Sequence, residues 1–200
     1  MTASKEIWVF GDFRNYFQNR VTLQILARAS GMARKAGYKI CAVVLGHGTM
    51  EYQSEYFAHG ADRLYVFDDP SLSNYCIETY SSLMAGLAEQ HRPEIILVGA
   101  TRFGREMAPR VAKRLGTGLT ADCIDLSLDS AGRLVQTAPS FGGNLIASIL
   151  TPSQRPQMAT VRPGIFQELP HNDQASGETV ICNIPDSLPK PKVTLIDSVK

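Results

Sequence analysis

Four short runs of almost unbroken apolar residues, each closed by a glycine or a tight turn, constrain this chain most. They are Ile7 to Phe10, Lys39 to Leu45, Arg63 to Phe67 and Glu94 to Val98, followed by Gly11, Gly46, Asp68-Asp69-Pro70 and Gly99. A strand that reads apolar on both sides of its pleat has both faces covered, which is the mark of a parallel sheet between layers of helices. Helical periodicity fills the gaps. Ile25, Ala29, Met32, Ala33 and Ala36 line one face of a helix over Leu23 to Ala36, with Gly37 as its stop. Glu51 to His59 forms a short amphipathic helix ended by Gly60. Tyr80, Leu83, Met84, Leu87 and Ala88 line a third, stopped by Pro93, and Met107, Val111 and Leu115 a fourth. Strand and helix alternating in this way, with right-handed crossovers, give an α/β, Rossmann-like doubly wound fold.

After Thr120 the pattern changes. Cys123 to Leu128 alternates, Asp129 to Gly132 is a turn, and Leu134 to Ala138, Asn144 to Leu150 and Met158 to Val161 are extended. These read as antiparallel hairpin strands added to the edge or end of a mainly parallel sheet. From Gln167 the chain is polar and proline-rich, which predicts an exposed arm over 167–200 with one strand at Thr179 to Cys182, after a domain over 1–166.

Composition narrows the function by exclusion. Twenty Lys and Arg stand against nineteen Asp and Glu, a formal net charge of +1, so there is no electrostatic footprint for nucleic acid or a membrane surface. The densest basic stretch, Arg105 to Arg114, contains Glu106. No apolar stretch approaches the roughly 18 residues that span a bilayer, and Ile7 to Phe10 is too short for the apolar part of a signal peptide; a soluble, cytoplasmic protein is expected. The four cysteines, Cys41, Cys76, Cys123 and Cys182, form no C-x-x-C pair and read as buried free thiols. His47, His59, His91 and His171 show no metal spacing, and no Ser, His and Asp stand out as a catalytic triad.

Gly99-Ala-Thr-Arg-Phe-Gly104-Arg105-Glu106 comes close to a P-loop. That motif needs a lysine for the outer phosphates and a hydroxyl for magnesium; an arginine and a glutamate stand there instead. What survives is a glycine-bearing turn from a strand into a helix N-terminus, which leaves Thr101, Gly104 and Arg105 as weak cofactor candidates. Pro109 is expected near the first turn of that helix. Gly11-Asp12 could reach a ligand at the end of the first strand. Phe141-Gly142-Gly143-Asn144 is hairpin chemistry, with a close approach to a partner chain as the alternative.

The stretch from Pro93 to Cys123, PEIILVGATRFGREMAPRVAKRLGTGLTADC, together with Gly142-Gly143-Asn144 and the run Met158 to Phe166, closely resembles the α subunit of electron transfer flavoproteins. The resemblance covers about Glu6 to Phe166. It implies a Rossmann-like lobe that pairs with a β subunit and forms the base for a separate FAD domain. It also implies that the assembled protein passes electrons from acyl-CoA dehydrogenases or other flavin dehydrogenases to a respiratory acceptor. The motifs by which that family holds FAD, in its C-terminal domain, are absent from this sequence. No cofactor is therefore expected on this chain alone, no catalytic or metal residue is expected, and a shortened chain is the favoured explanation. Arg105, Arg110, Gly142, Gly143, Asn144 and Arg162 become interface candidates, with a homodimer through the Leu134–Leu150 hairpin and the strand near Val161 expected when the β subunit is missing. The competing reading is a stand-alone adenine-nucleotide-binding module of universal-stress type, using the crevice at the ends of strands one and four.

Overall fold

Strand β1 (Ser4–Gly11) runs through the middle of the molecule in a computed structural model that describes residues 3–186 and 188. It is followed by α1 (Tyr16–Ala36), β2 (Lys39–Gly46), α2 (Gln53–Ala58), β3 (Arg63–Asp68), α3 (Ile77–His91), β4 (Pro93–Gly99) and α4 (Arg102–Leu115). Then come β5 (Leu119–Cys123), β6 (Asp125–Leu128), β7 (Leu134–Ser140), β8 (Leu145–Ile149), β9 (Gln157–Val161) and β10 (Glu178–Ile181). Seven strands form one parallel sheet in the order β10-β3-β2-β1-β4-β9-β5, and β6-β7-β8 form a separate antiparallel sheet.

The layers follow from side-chain alternation. Ile7, Val9, Ile40, Ala42, Val44, Ile95 and Leu97 face α1 and α2, and Trp8, Phe10, Cys41, Val43, Leu45, Ile96 and Val98 face α3 and α4. Both sets are buried, which is why these strands read as continuous apolar runs. The doubly wound fold and the added antiparallel strands are as expected.

Several elements depart from expectation. Helix α1 starts at Tyr16, seven residues earlier than Leu23, because Asn15 caps it by accepting from the Gln18 N–H at 2.9 Å. Pro109 lies well inside α4, on its exposed side, while Gly104, Met107, Ala108, Val111 and Ala112 face the sheet. Without an N–H it leaves the Arg105 carbonyl without its helical partner. The run from Cys123 to Leu128 is split: β5 ends at Cys123 in the main sheet and β6 starts the small one. Most consequential, the Met158–Val161 strand is no edge. As part of β9 it is inserted in parallel between β4 and β5 and is buried throughout. It cannot offer a free backbone edge, so that half of the expected docking surface is withdrawn.

The polar stretch after Gln167 lays Glu178–Ile181 along β3 in parallel register. Arg63 ties it down with hydrogen bonds to Glu178 (2.9 and 2.6 Å) and to the buried Glu6 (2.7 Å). Trp8 Nε1 donates to Glu6 at 2.8 Å from the other side. Pro189 and Pro191, with the rest of the expected arm, lie outside the described residues.

Candidate functional site

The C-terminal ends of β1, β4, β9 and β5 come together on one side of the sheet, and the candidates near the glycine turn gather there. The turn is set by close packing. A Cβ on Gly104 would lie 1.8 Å from the Gly99 carbonyl oxygen, and one on Gly99 would lie 2.7 Å from Val21 Cγ1. Both positions demand glycine. Thr101 caps α4, its hydroxyl accepting from the Gly104 N–H at 3.1 Å, and is buried.

Arg105 is at the N-terminal end of α4 with its side chain 60% exposed. Its Nε donates to the Ala100 carbonyl at 2.8 Å and Nη2 to Asp122 at 3.2 Å. Arg162, at the end of β9, donates to the same carboxylate through Nε and Nη2 at 3.2 and 2.7 Å. Asp122 adopts a left-handed φ of 59°, rare for a residue with a side chain, and its N–H is held by Thr160 Oγ1 at 2.9 Å. The hydrogen bond from Arg162 outweighs partial burial and, with the charge of Arg105, holds Asp122 below the usual carboxylate range. One carboxylate thus bridges two interface candidates, one on α4 and one just after β9, and no local spacing announces that arrangement.

Asp12 ends β1 with its side chain buried. Its N–H is anchored by Thr22 Oγ1 at 3.0 Å, and Thr101 Oγ1 lies 3.4 Å from its carboxylate. Arg14 grips that carboxylate with two hydrogen bonds of 2.7 Å. Arg14 was not a candidate, since a single arginine in a loop carries no pattern.

Arg110 is exposed on α4, away from this cluster. Gly142, Gly143 and Asn144 are further off, at the β7–β8 turn, with φ of 68° at Gly142 and 91° at Gly143. Beside them β8 is exposed on both faces. Leu145 is 58% and Ile146 67% exposed, and β8 is the open edge of its sheet. One residue across from β8, Gln136 is wholly buried, yet neither amide atom meets a hydrogen-bond partner among the described residues. The structure therefore brings Thr101, Gly104, Arg105 and Arg162 together and leaves Arg110 and the hairpin glycines apart. Among the described residues no group of His, Cys, Asp and Glu is disposed to hold a metal, and no helix is long and apolar enough to cross a membrane.

A family model described as the electron transfer flavoprotein domain matches residues 7–187. The chain belongs to this family. An electron transfer flavoprotein subunit alpha from Thermoanaerobacterium thermosaccharolyticum is 45% identical over 180 residues, 90% of this chain and 54% of that protein. The subunit of the same name from Clostridium acetobutylicum is 44% identical over 84% of this chain and 51% of its own length. Subunit LctC of the lactate dehydrogenase (NAD(+),ferredoxin) of Acetobacterium woodii is 41% identical over 73% of this chain and 35% of its own. The chain thus spans about half the length of the first two curated relatives. Membership of the electron transfer flavoprotein family displaces the universal-stress alternative. In this family member the strand-to-helix turn that resembles a P-loop has its arginine committed to Ala100 and Asp122.

Proposed function

We propose that this domain is the N-terminal base of an electron transfer flavoprotein α subunit, which supports the flavin without holding it. The observation that carries this reading is a crevice filled by the chain's own side chains beside an unfinished sheet. At the ends of β1 and β4 the polar groups are engaged with one another, while β8 offers an open, apolar edge. On this reading a β subunit covers the β7–β8 hairpin, and FAD is held by a separate domain of the α subunit. The assembled protein, in the cytoplasm, passes electrons from acyl-CoA or other flavin dehydrogenases to a respiratory acceptor. Arg105 and Arg162 stiffen the end of the sheet on which the flavin domain rests, and the Gly142-Gly143-Asn144 turn lets a partner's backbone approach closely. No residue of this domain breaks a substrate bond.

The test is co-expression with and without a β subunit. The chain alone should purify colourless, without flavin absorbance, and should form a homodimer through β8 by sedimentation equilibrium. Adding the β subunit should replace that homodimer by a heterodimer. Stoichiometric flavin on the isolated chain, or indifference to the β subunit, would count against the proposal.

A further inference from the structure

The connections leaving β1 and β4 run to opposite faces of the sheet, so the crevice between them is where an open α/β sheet most readily takes a ligand. Here a side chain lies in it. The Arg14 guanidinium carbon is 3.8 Å from the centroid of the Phe103 ring, 4.5 Å from that of Tyr75 and 5.9 Å from that of Tyr80. Its fork meets both oxygens of Asp12. Ring faces plus a carboxylate set to receive two parallel N–H bonds form the recognition chemistry of a guanidinium; an ammonium would satisfy the charge alone.

The walls of the cage are braced by contacts that do not involve Arg14. Tyr75 packs edge-on against Phe103 at 4.6 Å and against Tyr80 at 4.9 Å, so the rings brace one another. Tyr80 is fixed by its hydroxyl donating to the Leu72 carbonyl at 2.8 Å. Asp12 is positioned by its own backbone, through Thr22. Phe103 rides on the first turn of α4, whose start is locked by the Gly99–Gly104 contact. Arg14, by contrast, belongs to the loop between β1 and α1. Burial raises the Tyr80 phenol to about 12, so the rings stay neutral through the physiological range.

We propose that this crevice is a guanidinium-binding site occupied from within, with Arg14 as an intramolecular ligand that closes it to nucleotides and other outside molecules. The proposal stands apart from the partner assignment above. The first test is Arg14→Ala, probed with ethylguanidinium, which restores the two methylenes and the fork that the variant lacks. The variant should melt below the parent chain and recover with millimolar ethylguanidinium, while the parent gains nothing and ethylammonium rescues neither. Adding Phe103→Leu should weaken the rescue about tenfold. A variant that ethylguanidinium stabilises no more than it does the parent would overturn the site. The second test keeps the native arginine. The Arg14 Nε–H resonance should be shifted by the rings, protected from exchange, and displaced in Phe103→Leu. A resonance at the position of a free arginine would overturn the caging. Saturable binding of AMP to the unaltered chain, with movement of that resonance, would overturn the closure.

Discussion

The two sheets of this molecule differ in how completely their own chain finishes them. In the large sheet β1, β2, β4 and β9 are buried on both faces and paired on both edges. In the small sheet β7 hides Leu134, Gln136 and Ala138, but β8 is exposed on both faces and free along one edge. A surface of exposed Leu145, Ile146, Ile149 and Leu150 beside unpaired backbone is what a partner strand covers, and what a lone domain covers with a second copy of itself. The contrast teaches where stability resides and where association resides, and these are different parts of the chain.

Substitutions can break that contrast or sharpen it. Leu97→Ala, in the middle of β4 and fully buried, should cost about 2–5 kcal/mol of stability by urea denaturation. Gln136→Met should move stability the other way. Removing a buried amide that finds no partner among the described residues, with little change of shape, should gain about 1–2 kcal/mol and raise the urea midpoint. A loss instead would mean that Gln136 is satisfied in solution.

Asp122→Asn tests the arginine bridge, with a smaller effect. A carboxylate held below its ordinary range adds stability above that range and loses it as pH falls through the depressed value. The parent chain should therefore lose stability as pH falls below about 4, and the variant should lose less. The difference should be about 1 kcal/mol or less, because Asp122 and both arginines are partly solvated. Urea midpoints at pH 6 and pH 3 would measure it. Ile146→Ala should change stability by less than about 0.5 kcal/mol, yet weaken dimerisation in the ultracentrifuge. A large loss of stability with unchanged association would erase the distinction between the sheets.

Strands β1 to β4 were legible in the sequence because burial on both faces leaves no polar alternation to confuse them. The start of α1 was not. Tyr16 and Phe17 are exposed there while Gln18 and Asn19 are buried, the reverse of an amphipathic helix. Strand β9 was recognised as a strand but misplaced. Its pairing with β4 and β5 joins residues far apart in the chain, and local periodicity carries no record of that. At the candidate site the glycines and Thr101 were readable from turn chemistry. Asp122, Arg14 and Gln136 owe their roles to neighbours from other elements, so no spacing announces them.

The position of β9 and β10 in the chain has a consequence for synthesis on the ribosome. When the first 115 residues have emerged, β3-β2-β1-β4 can assemble with their helices, but both flanks of that sheet are raw. One flank waits for β9, whose register with β4 begins at Gln157, and the other for β10, whose register with β3 begins at Glu178. The nascent domain therefore carries two open edges through the translation of some forty further residues, and the β3 edge through some sixty, a window of several seconds at about 5–20 residues per second. Its most vulnerable state for mispairing with a neighbouring nascent chain is thus the half-made one, before the last strand closes the far edge.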